Sequence, residues 1–277
     1  MFTISEALSF SKQQLRNGES PNSDSQLLLA HVLSCSTSYL YTWPEKALSQ
    51  QQQTALLALL ELRKLGHPVA YLTGQRGFWT LDLQVNKHTL IPRPDTELLV
   101  EKAMEKITDD TWVSDLGTGS GAIVLALASE RPQTRFFACD YSSQALNIAK
   151  ANAKQNQIDN VCFWQGDWLA AIASNSLDII VSNPPYIEQD DPHMQQGDVK
   201  FEPEQALVSG CDGLDDARLI IARAAVCLRQ QGWLLLEHGH QQAQSVAAIM
   251  QSQGFNNITG YQDYGGNDRV TIGQLTL

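Results

Sequence analysis

The chain has 277 residues, of which 43% are hydrophobic and 18% are charged, and its formal net charge is −11. This composition is typical of a globular protein with one or two modest domains. Proteins that bind nucleic acid usually present a basic face that neutralises phosphates, so the acidic balance argues against that class of partner. No apolar run approaches the ~18 residues of a membrane span, which argues against a membrane protein.

The cysteines and the first residues of the chain bear on its compartment. Five cysteines are present, scattered and without C-x-x-C spacing: Cys35, Cys139, Cys162, Cys211 and Cys227. This arrangement is typical of reduced thiols rather than of disulfides or a zinc site. The first periodic segment contains Glu6 and Lys12 and lacks the apolar core of a signal peptide. We therefore expect a cytoplasmic protein without a bound metal.

Residues 1–75 have helical periodicity. Leucines recur at helical spacing through 27–33 and 56–65, and a Gly-His-Pro sequence at 66–68 ends the second stretch. Few residue types with catalytic chemistry cluster in this part. We expect a small helical-bundle domain that recognises the substrate.

The periodicity changes to two at Phe78, and 76–92 is predicted to form a β-hairpin linker. From 93 to 277 strands and helices alternate, which predicts a Rossmann-like α/β domain with a mostly parallel seven-stranded sheet. The candidate strands are 111–116, 134–139, 160–165, 177–182, 232–237, 257–262 and 269–275. The last two are expected to form an antiparallel hairpin at the sheet edge. The polar stretch 188–212 is long for a connection, and such loops are usually functional or mobile.

A strand, a glycine loop and an apolar helix follow one another from 111 to 128. The loop reads Asp-Leu-Gly-Thr-Gly-Ser-Gly at 115–121, and its glycines allow the backbone to approach a ligand closely. The next strand ends in Asp140, about 20 residues past the last glycine, where a carboxylate can accept both ribose hydroxyls. This is the arrangement of a nucleotide-binding first crossover.

Two cofactors compete for this loop, because Gly117, Gly119 and Ala122 also fit a loose NAD fingerprint. Asp115 decides between them. A carboxylate two residues before the first glycine would repel a pyrophosphate, but it suits the ammonium of a methionine moiety. The sequence therefore predicts S-adenosylmethionine as the cofactor and a methyltransferase as the enzyme.

An Asn-Pro-Pro-Tyr element at 183–186 directly follows the candidate strand 177–182. Two prolines fix their φ angles and offer carbonyls without N–H donors. The side-chain oxygen of Asn183 and the carbonyl of Pro184 can then accept both hydrogens of one –NH₂ group. Tyr186 offers a ring face on which a flat amide or base can stack. This pattern predicts methylation of a planar nitrogen.

These motifs resemble the class I methyltransferases that act on planar nitrogens. Further stretches narrow the match: Ile-Pro-Arg-Pro-Asp-Thr-Glu at 91–97, Phe-Glu-Pro at 201–203, Ala-Leu at 206–207 and Asp-Gly-Leu at 212–214. Over essentially its whole length the chain is similar to the release-factor glutamine N5-methyltransferases, the HemK/PrmC family. The Asn-Pro-Pro-Tyr element is shared with adenine methylases, whereas the stretch at 91–97 is much more specific to protein glutamine methylation.

The resemblance implies that the target is the Gly-Gly-Gln glutamine of peptide-chain release factors, the proteins of translation termination. It also implies a protein partner, no direct contact with nucleic acid or membrane, and action as a monomer. The superfamily places its adenine contacts where Asp167 and Trp168 stand. The role of Arg93, on the cofactor, on the substrate or in the hairpin, stays open.

The predicted cofactor-binding residues are Asp115, Gly117, Thr118, Gly119, Ser120, Gly121, Asp140, Asp167, Trp168 and Asn183. The predicted catalytic residues are Asn183, Pro184, Pro185 and Tyr186. A glutamine methyltransferase of a ribosomal protein would carry almost the same motifs, and an adenine-N6 methyltransferase of DNA or RNA shares the Asn-Pro-Pro-Tyr element. A non-catalytic cofactor-binding adaptor is disfavoured, because both loops are intact.

Overall fold

The computed structural model describes residues 2–276, which separate into two compact units. The first unit extends to Gln75 and also includes Gln195–Phe201, and the second comprises Arg76–Met194 and the residues from Glu202 onward. The long polar stretch 188–212 is thus divided between the units. Hydrophobic periodicity did not predict this division.

Helices build the first unit: α1 (Ile4–Gln14), α2 (Pro21–Leu33), α3 (Thr37–Thr42), α4 (Gln50–Lys64) and α5 (Val69–Thr73). Helix α1 begins with a capping box, in which the Glu6 N–H donates to the Thr3 hydroxyl and the Thr3 N–H donates to the Glu6 carboxylate. Helix α4 begins in the same way at Ser49 and Gln52. Buried leucines form the core of this unit: Leu28, Leu29, Leu40, Leu48, Leu56 and Leu60.

One arginine holds the segment Gln195–Phe201 within the first unit. Arg63 donates from Nε to Asp24 and from Nη1 to Asp198, both at 2.8 Å. The Phe201 ring lies against the His67 ring, with centroids 4.4 Å apart. An ion pair with Arg63 and an aromatic contact therefore fix this segment to α4 and the turn after it.

The second unit includes the hairpin of β1 (Gln75–Phe78) and β2 (Leu81–Gln84), apart from Gln75, which is the last residue of the first unit before the hairpin turns. The other elements are α6 (Glu97–Met104), β3 (Trp112–Leu116), α7 (Ala122–Glu130), β4 (Arg135–Asp140), α8 (Ser143–Gln155), β5 (Val161–Gln165), β6 (Leu177–Ser182), α9 (Asp215–Cys227), β7 (Leu228–Glu237), α10 (Ala243–Ser252), β8 (Phe255–Gln262) and β9 (Asp268–Leu275). Asn152 of α8 bonds to both backbone groups of Gln84, which docks the hairpin on the domain.

The strands of β3 to β9 form one sheet in the order β5-β4-β3-β6-β7-β9-β8. Neighbours from β5 to β7 pair in parallel, and β9 runs antiparallel to both β7 and β8. This confirms the predicted fold class. Strand β7 begins at Leu228, earlier than the predicted 232, and continues through Gln231 at a φ of +66°.

The centre of the sheet sets the position of the site. Helix α7 is buried from Ala122 to Ala128, which explains why its sequence is apolar on every side. Strands β3 and β6 pair in a register that places Leu116 opposite Ser182, and the Ser182 hydroxyl donates to the Leu116 carbonyl at 2.7 Å. After β3 the chain continues to β4 on one side of this pair, and after β6 it continues to β7 on the other side. Ligands of such folds bind at the carboxyl ends of the strands where the connections diverge in this way. In residues 2–276, no helix is both long and apolar enough to cross a membrane.

Candidate active site

The loop after β3 depends on its glycines for conformation and for space. Gly117, Gly119 and Gly121 have φ angles of +68°, +56° and +85°. A Cβ on Gly117 would lie 3.0 Å from the ring of Trp168, and one on Gly121 would lie 2.9 Å from Leu125. The loop therefore needs glycine for φ at all three positions and for contact distance at two of them.

Asp115 is fully buried beneath this loop. The Thr118 hydroxyl donates to its Oδ2 at 2.7 Å, and its Oδ1 is buried without a hydrogen-bond partner. Burial raises the pKa of Asp115 to about 7, and the Thr118 hydrogen bond opposes that shift. A buried carboxylate oxygen that lacks a donor is suited to a cationic group such as an ammonium.

Asp140 is held at the end of β4 by two backbone donors. The Gly119 N–H donates to its Oδ2 and the Ser142 N–H donates to its Oδ1, both at 2.8 Å. Burial raises the pKa of Asp140, and these two hydrogen bonds oppose the shift. Each oxygen keeps a further lone pair, so the fixed carboxylate can accept a pair of hydroxyls.

A cavity of about 480 Å³ opens at the carboxyl ends of these strands. It is lined by several of the predicted residues: Gly117, Gly119, Asp140, Asp167, Trp168, Asn183 and Pro185. The other predicted residues do not line it: Asp115, Thr118, Ser120, Gly121, Pro184 and Tyr186. The structure thus brings the glycine loop, the end of β4 and the Asn-Pro-Pro-Tyr element together around one space.

Asn183 presents an oxygen that nothing in the fold uses. Its Nδ2 donates to the Thr96 hydroxyl at 3.2 Å, while its Oδ1 is buried without a partner. Unpaired buried oxygens are rare, because losing water without gaining a donor costs about 1–3 kcal/mol. The arrangement is that of an acceptor kept for a donor on a ligand.

Backbone bonds hold the rest of the element. The Tyr186 N–H donates to the Leu207 carbonyl at 3.1 Å, and the Tyr186 carbonyl accepts from Gln242 at 3.0 Å. Burial raises the pKa of Tyr186 to about 12, so this phenol stays protonated near neutral pH and is no base. The element is therefore a rigid turn whose shape the neighbouring loop maintains.

Arg93, whose role the sequence left open, forms an ion pair with Glu202. The other carboxylate oxygen of Glu202 accepts from the Ile91 N–H at 3.0 Å. Arg93 does not line the cavity. Its position indicates a structural part, which ties the segment before α6 to the loop after the Asn-Pro-Pro-Tyr element.

Asp167 and Trp168 both line the cavity, but in different ways. Asp167 is half exposed and faces Arg223, with 3.5 Å between the carboxylate and the guanidinium. Trp168 has a φ of +47° and places its ring against Gly117. The ring of Trp168 is therefore a wall of the cavity next to the glycine loop.

The structure adds residues to the cavity that sequence reasoning missed. They are His88, Thr89, Leu90, Tyr141, Ser142, Gln144, Gln205 and Asp216, among others. His88 to Leu90 come from the segment after the hairpin, and Gln205 comes from the part of the stretch 188–212 that belongs to the second unit. The signals that pointed toward them were their neighbours in sequence: the motif at 91–97 for 88–90, Asp140 for Tyr141 and Ser142, and the stretches 201–203 and 206–207 for Gln205.

Comparisons with known proteins show the family and the fold of the chain. A family model described as the PrmC N-terminal domain matches residues 6–74, and one described as a methyltransferase small domain matches residues 94–201. The release factor glutamine methyltransferase of Aliivibrio fischeri is 48% identical over 265 residues, which is 95% of this chain and 93% of the relative. That of Escherichia coli is 45% identical over 262 residues, with coverage of 94% and 95%.

The chain belongs to the release factor glutamine methyltransferase family. A solved methyltransferase of Pyrococcus furiosus, 15% identical, aligns with a TM-score of 0.55 over 80% of this chain and 98% of its own. At that identity the likeness shows the fold alone. Together these matches confirm the predicted family, the predicted fold and the methyltransferase class.

Proposed function

We propose that this protein transfers a methyl group from S-adenosylmethionine to the side-chain amide nitrogen, N5, of the Gly-Gly-Gln glutamine in peptide-chain release factors. The observation that carries the proposal is the Oδ1 of Asn183, a buried acceptor without a partner on a residue that lines the cavity. The names of the relatives support the release factor as the protein that carries the glutamine.

The loops after β3 and β4 hold the donor in this proposal. S-adenosylmethionine supplies a methyl group on a sulfonium, a strong electrophile that needs no nucleophilic residue. Asp140 accepts the ribose hydroxyls, because its carboxylate is already aimed by Gly119 and Ser142. Asp115 attracts the ammonium, for which its unpaired Oδ1 is suited. Trp168 and Asp167 border the adenine.

The Asn-Pro-Pro-Tyr element holds the acceptor. An amide nitrogen is a poor nucleophile, because its lone pair is delocalised into the carbonyl. Asn183 Oδ1 and the Pro184 carbonyl accept its two hydrogens and turn the lone pair toward the methyl group. As the new bond forms the nitrogen becomes more positive, so both hydrogen bonds strengthen in the transition state. The proton leaves after transfer, and Tyr186 does not take it.

The first unit recognises the release factor in this proposal. It carries exposed apolar side chains on its helices, including Leu27, Tyr41 and Leu62, and none of its described residues lines the cavity. Such side chains are common at protein–protein interfaces. The second unit supplies the chemistry.

The experiment combines the purified protein, isotopically labelled S-adenosylmethionine and a purified release factor, and locates the label by peptide mass spectrometry. The proposal predicts one methyl group on the Gly-Gly-Gln glutamine and none on a release factor with that glutamine replaced by alanine. Asn183→Ala is the matched inactive control. Label that appears in a ribosomal protein or in nucleic acid, but not in the release factor, would contradict the proposal.

A further inference from the structure

Glu237 is a buried acid beside the Asn-Pro-Pro-Tyr element that the sequence reasoning did not single out. Strands β6 and β7 pair in a register that places Ser182 opposite Leu236, so Asn183 and Glu237 come next on neighbouring parallel strands. The Glu237 side chain is buried, and its Oε2 has no hydrogen-bond partner. Burying a carboxylate is costly, which suggests a use for it at this place.

The donors and acceptors around Glu237 determine which way round the Asn183 amide lies. Asn183 Nδ2 donates to the Thr96 hydroxyl at 3.2 Å, and both side chains are close enough to the Glu237 carboxyl to lower its pKa. An ionised carboxylate only accepts hydrogen bonds. The –NH₂ group of Asn183 therefore faces Thr96 and Glu237, and its Oδ1 is left over for another donor.

We infer that Glu237 is a positioning residue, whose negative charge selects the amide orientation in which Asn183 presents Oδ1, rather than –NH₂, to the substrate. The inference rests on the proposed function, since a glutamine amide is the group that needs this acceptor. A neutral group at 237 can itself donate a hydrogen bond to Asn183 Oδ1, and the Asn183 amide can then rotate by half a turn. The –NH₂ group of Asn183 would then face the –NH₂ group of the substrate glutamine, and neither group accepts a hydrogen bond.

Charged groups from other elements also face Glu237. Arg269 of β9 lowers its pKa and Asp95 raises it, and Glu237 in turn acts on the Tyr186 phenol. Arg269 itself lies 3.3 Å from Asp263 and 3.6 Å from Asp95, so it already forms ion pairs with two other carboxylates. Burial is the largest influence and raises the pKa of Glu237 to about 7.

Because its pKa is raised to about 7, the charge of Glu237 changes with pH near neutrality. Since the ionised form of Glu237 positions Asn183, kcat at saturating S-adenosylmethionine should fall as pH drops through about 7. Asp115 has a raised pKa in the same range, but its charge acts on the donor and therefore on donor affinity. Measuring kcat at saturating S-adenosylmethionine therefore distinguishes the effect of Glu237 from that of Asp115.

The test compares Glu237→Gln, which keeps the shape and removes the charge, with Glu237→Asp, which keeps a carboxylate on a shorter stem. Asp178→Asn is the matched control, because Asp178 lies at the opposite end of β6 and pairs with Arg229. The release factor is the substrate, kcat and KM are measured from pH 5.5 to 9, and donor affinity is measured by calorimetry. We expect Glu237→Gln to lower kcat by roughly 10²-fold, the scale of losing one preorganised hydrogen-bonding group. Donor affinity should stay within about twofold, and Glu237→Asp should recover part of the rate.

A double-mutant cycle tests whether Glu237 acts through Asn183. In the Asn183→Ala background, Glu237→Gln should lower kcat little further, because the oriented group is already gone. The low-pH decline of kcat should disappear in Glu237→Gln. The inference is overturned if Glu237→Gln keeps the wild-type kcat, or if the kcat losses of Glu237→Gln and Asn183→Ala multiply in the double mutant. It is also overturned if Glu237→Asp loses as much kcat as Glu237→Gln and loses donor affinity as well. A wild-type protein that binds the donor but does not methylate glutamine would instead overturn the proposed function.

Discussion

Asp115 lies on β3 and Asn183 directly follows its parallel neighbour β6, and each keeps one buried side-chain oxygen without a hydrogen-bond partner. Each buried oxygen without a donor lowers the stability of the folded protein. Such a cost is typical of binding sites, because a bound ligand supplies the missing donors. An ammonium for Asp115 and an amide for Asn183 would satisfy both, which is the pair of groups that the proposed reaction brings together.

Asp140→Ala should weaken the binding of S-adenosylmethionine by on the order of 10–100-fold, because two hydrogen bonds to ribose are lost at about 1 kcal/mol each and the Gly119 N–H loses its acceptor. Calorimetry with the methyl donor and with its demethylated product measures the change. Asp178→Asn serves as the control and should bind as the wild type does. Tight binding of NAD without binding of the methyl donor would contradict the cofactor assignment.

Gly117→Ala tests the close approach between the glycine loop and Trp168. The new Cβ would meet the indole ring at 3.0 Å in a residue whose φ is +68°, so both contact and conformation oppose it. We expect donor affinity to fall at least tenfold. Gly119→Ala is the comparison, since its Cβ would meet nothing within 4 Å and only its φ is strained. Equal effects of the two substitutions would show that the contact with Trp168 is unimportant.

Much of the fold was predictable because its signals are local. The alternation of buried strands with amphipathic helices, the glycine loop and the acid at the end of β4 follow from backbone sterics and hydrophobic periodicity. Arg93 and Glu202 were not predictable as partners, because ion pairs between distant segments have no periodicity. Glu237 was missed for the same reason, since its importance comes from the register of β6 against β7.

Arg63→Ala should loosen the segment Gln195–Phe201. Arg63 is only 14% exposed in its side chain and bonds to Asp24, Asp198 and the His67 carbonyl, so its loss removes the main polar anchor. Hydrogen exchange and limited proteolysis should increase in this segment. Lys64→Ala on the same helix is the control, because Lys64 pairs with the exposed Glu61. Unchanged protection in Arg63→Ala would contradict the anchoring role.

Glu237→Gln should also change stability in a pH-dependent way. The folded-state pKa of Glu237, about 7, lies above its ordinary value of 4.5, so its contribution to stability is present below about pH 4.5 and is lost as pH rises through about 7. Glu237→Gln avoids that loss, so its free energy of unfolding relative to the wild type should increase from pH 5 to pH 8, by up to about 3 kcal/mol. Urea unfolding of both proteins at pH 5 and at pH 8 measures this change. A difference between the two proteins that does not vary with pH would contradict the raised pKa.

In the proposed reaction Asn183 aims the nitrogen of a glutamine amide, and steady-state kinetics of Asn183→Ala on a purified release factor is the decisive measurement. We expect a loss of kcat on the order of 10²–10³-fold, the scale of one preorganised hydrogen-bonding group, with donor affinity nearly unchanged. Asn183→Asp, which keeps an acceptor but loses the donors that face Thr96 and Glu237, should be slow but saturable. A near-normal kcat in Asn183→Ala would show that Asn183 does not aim the glutamine amide.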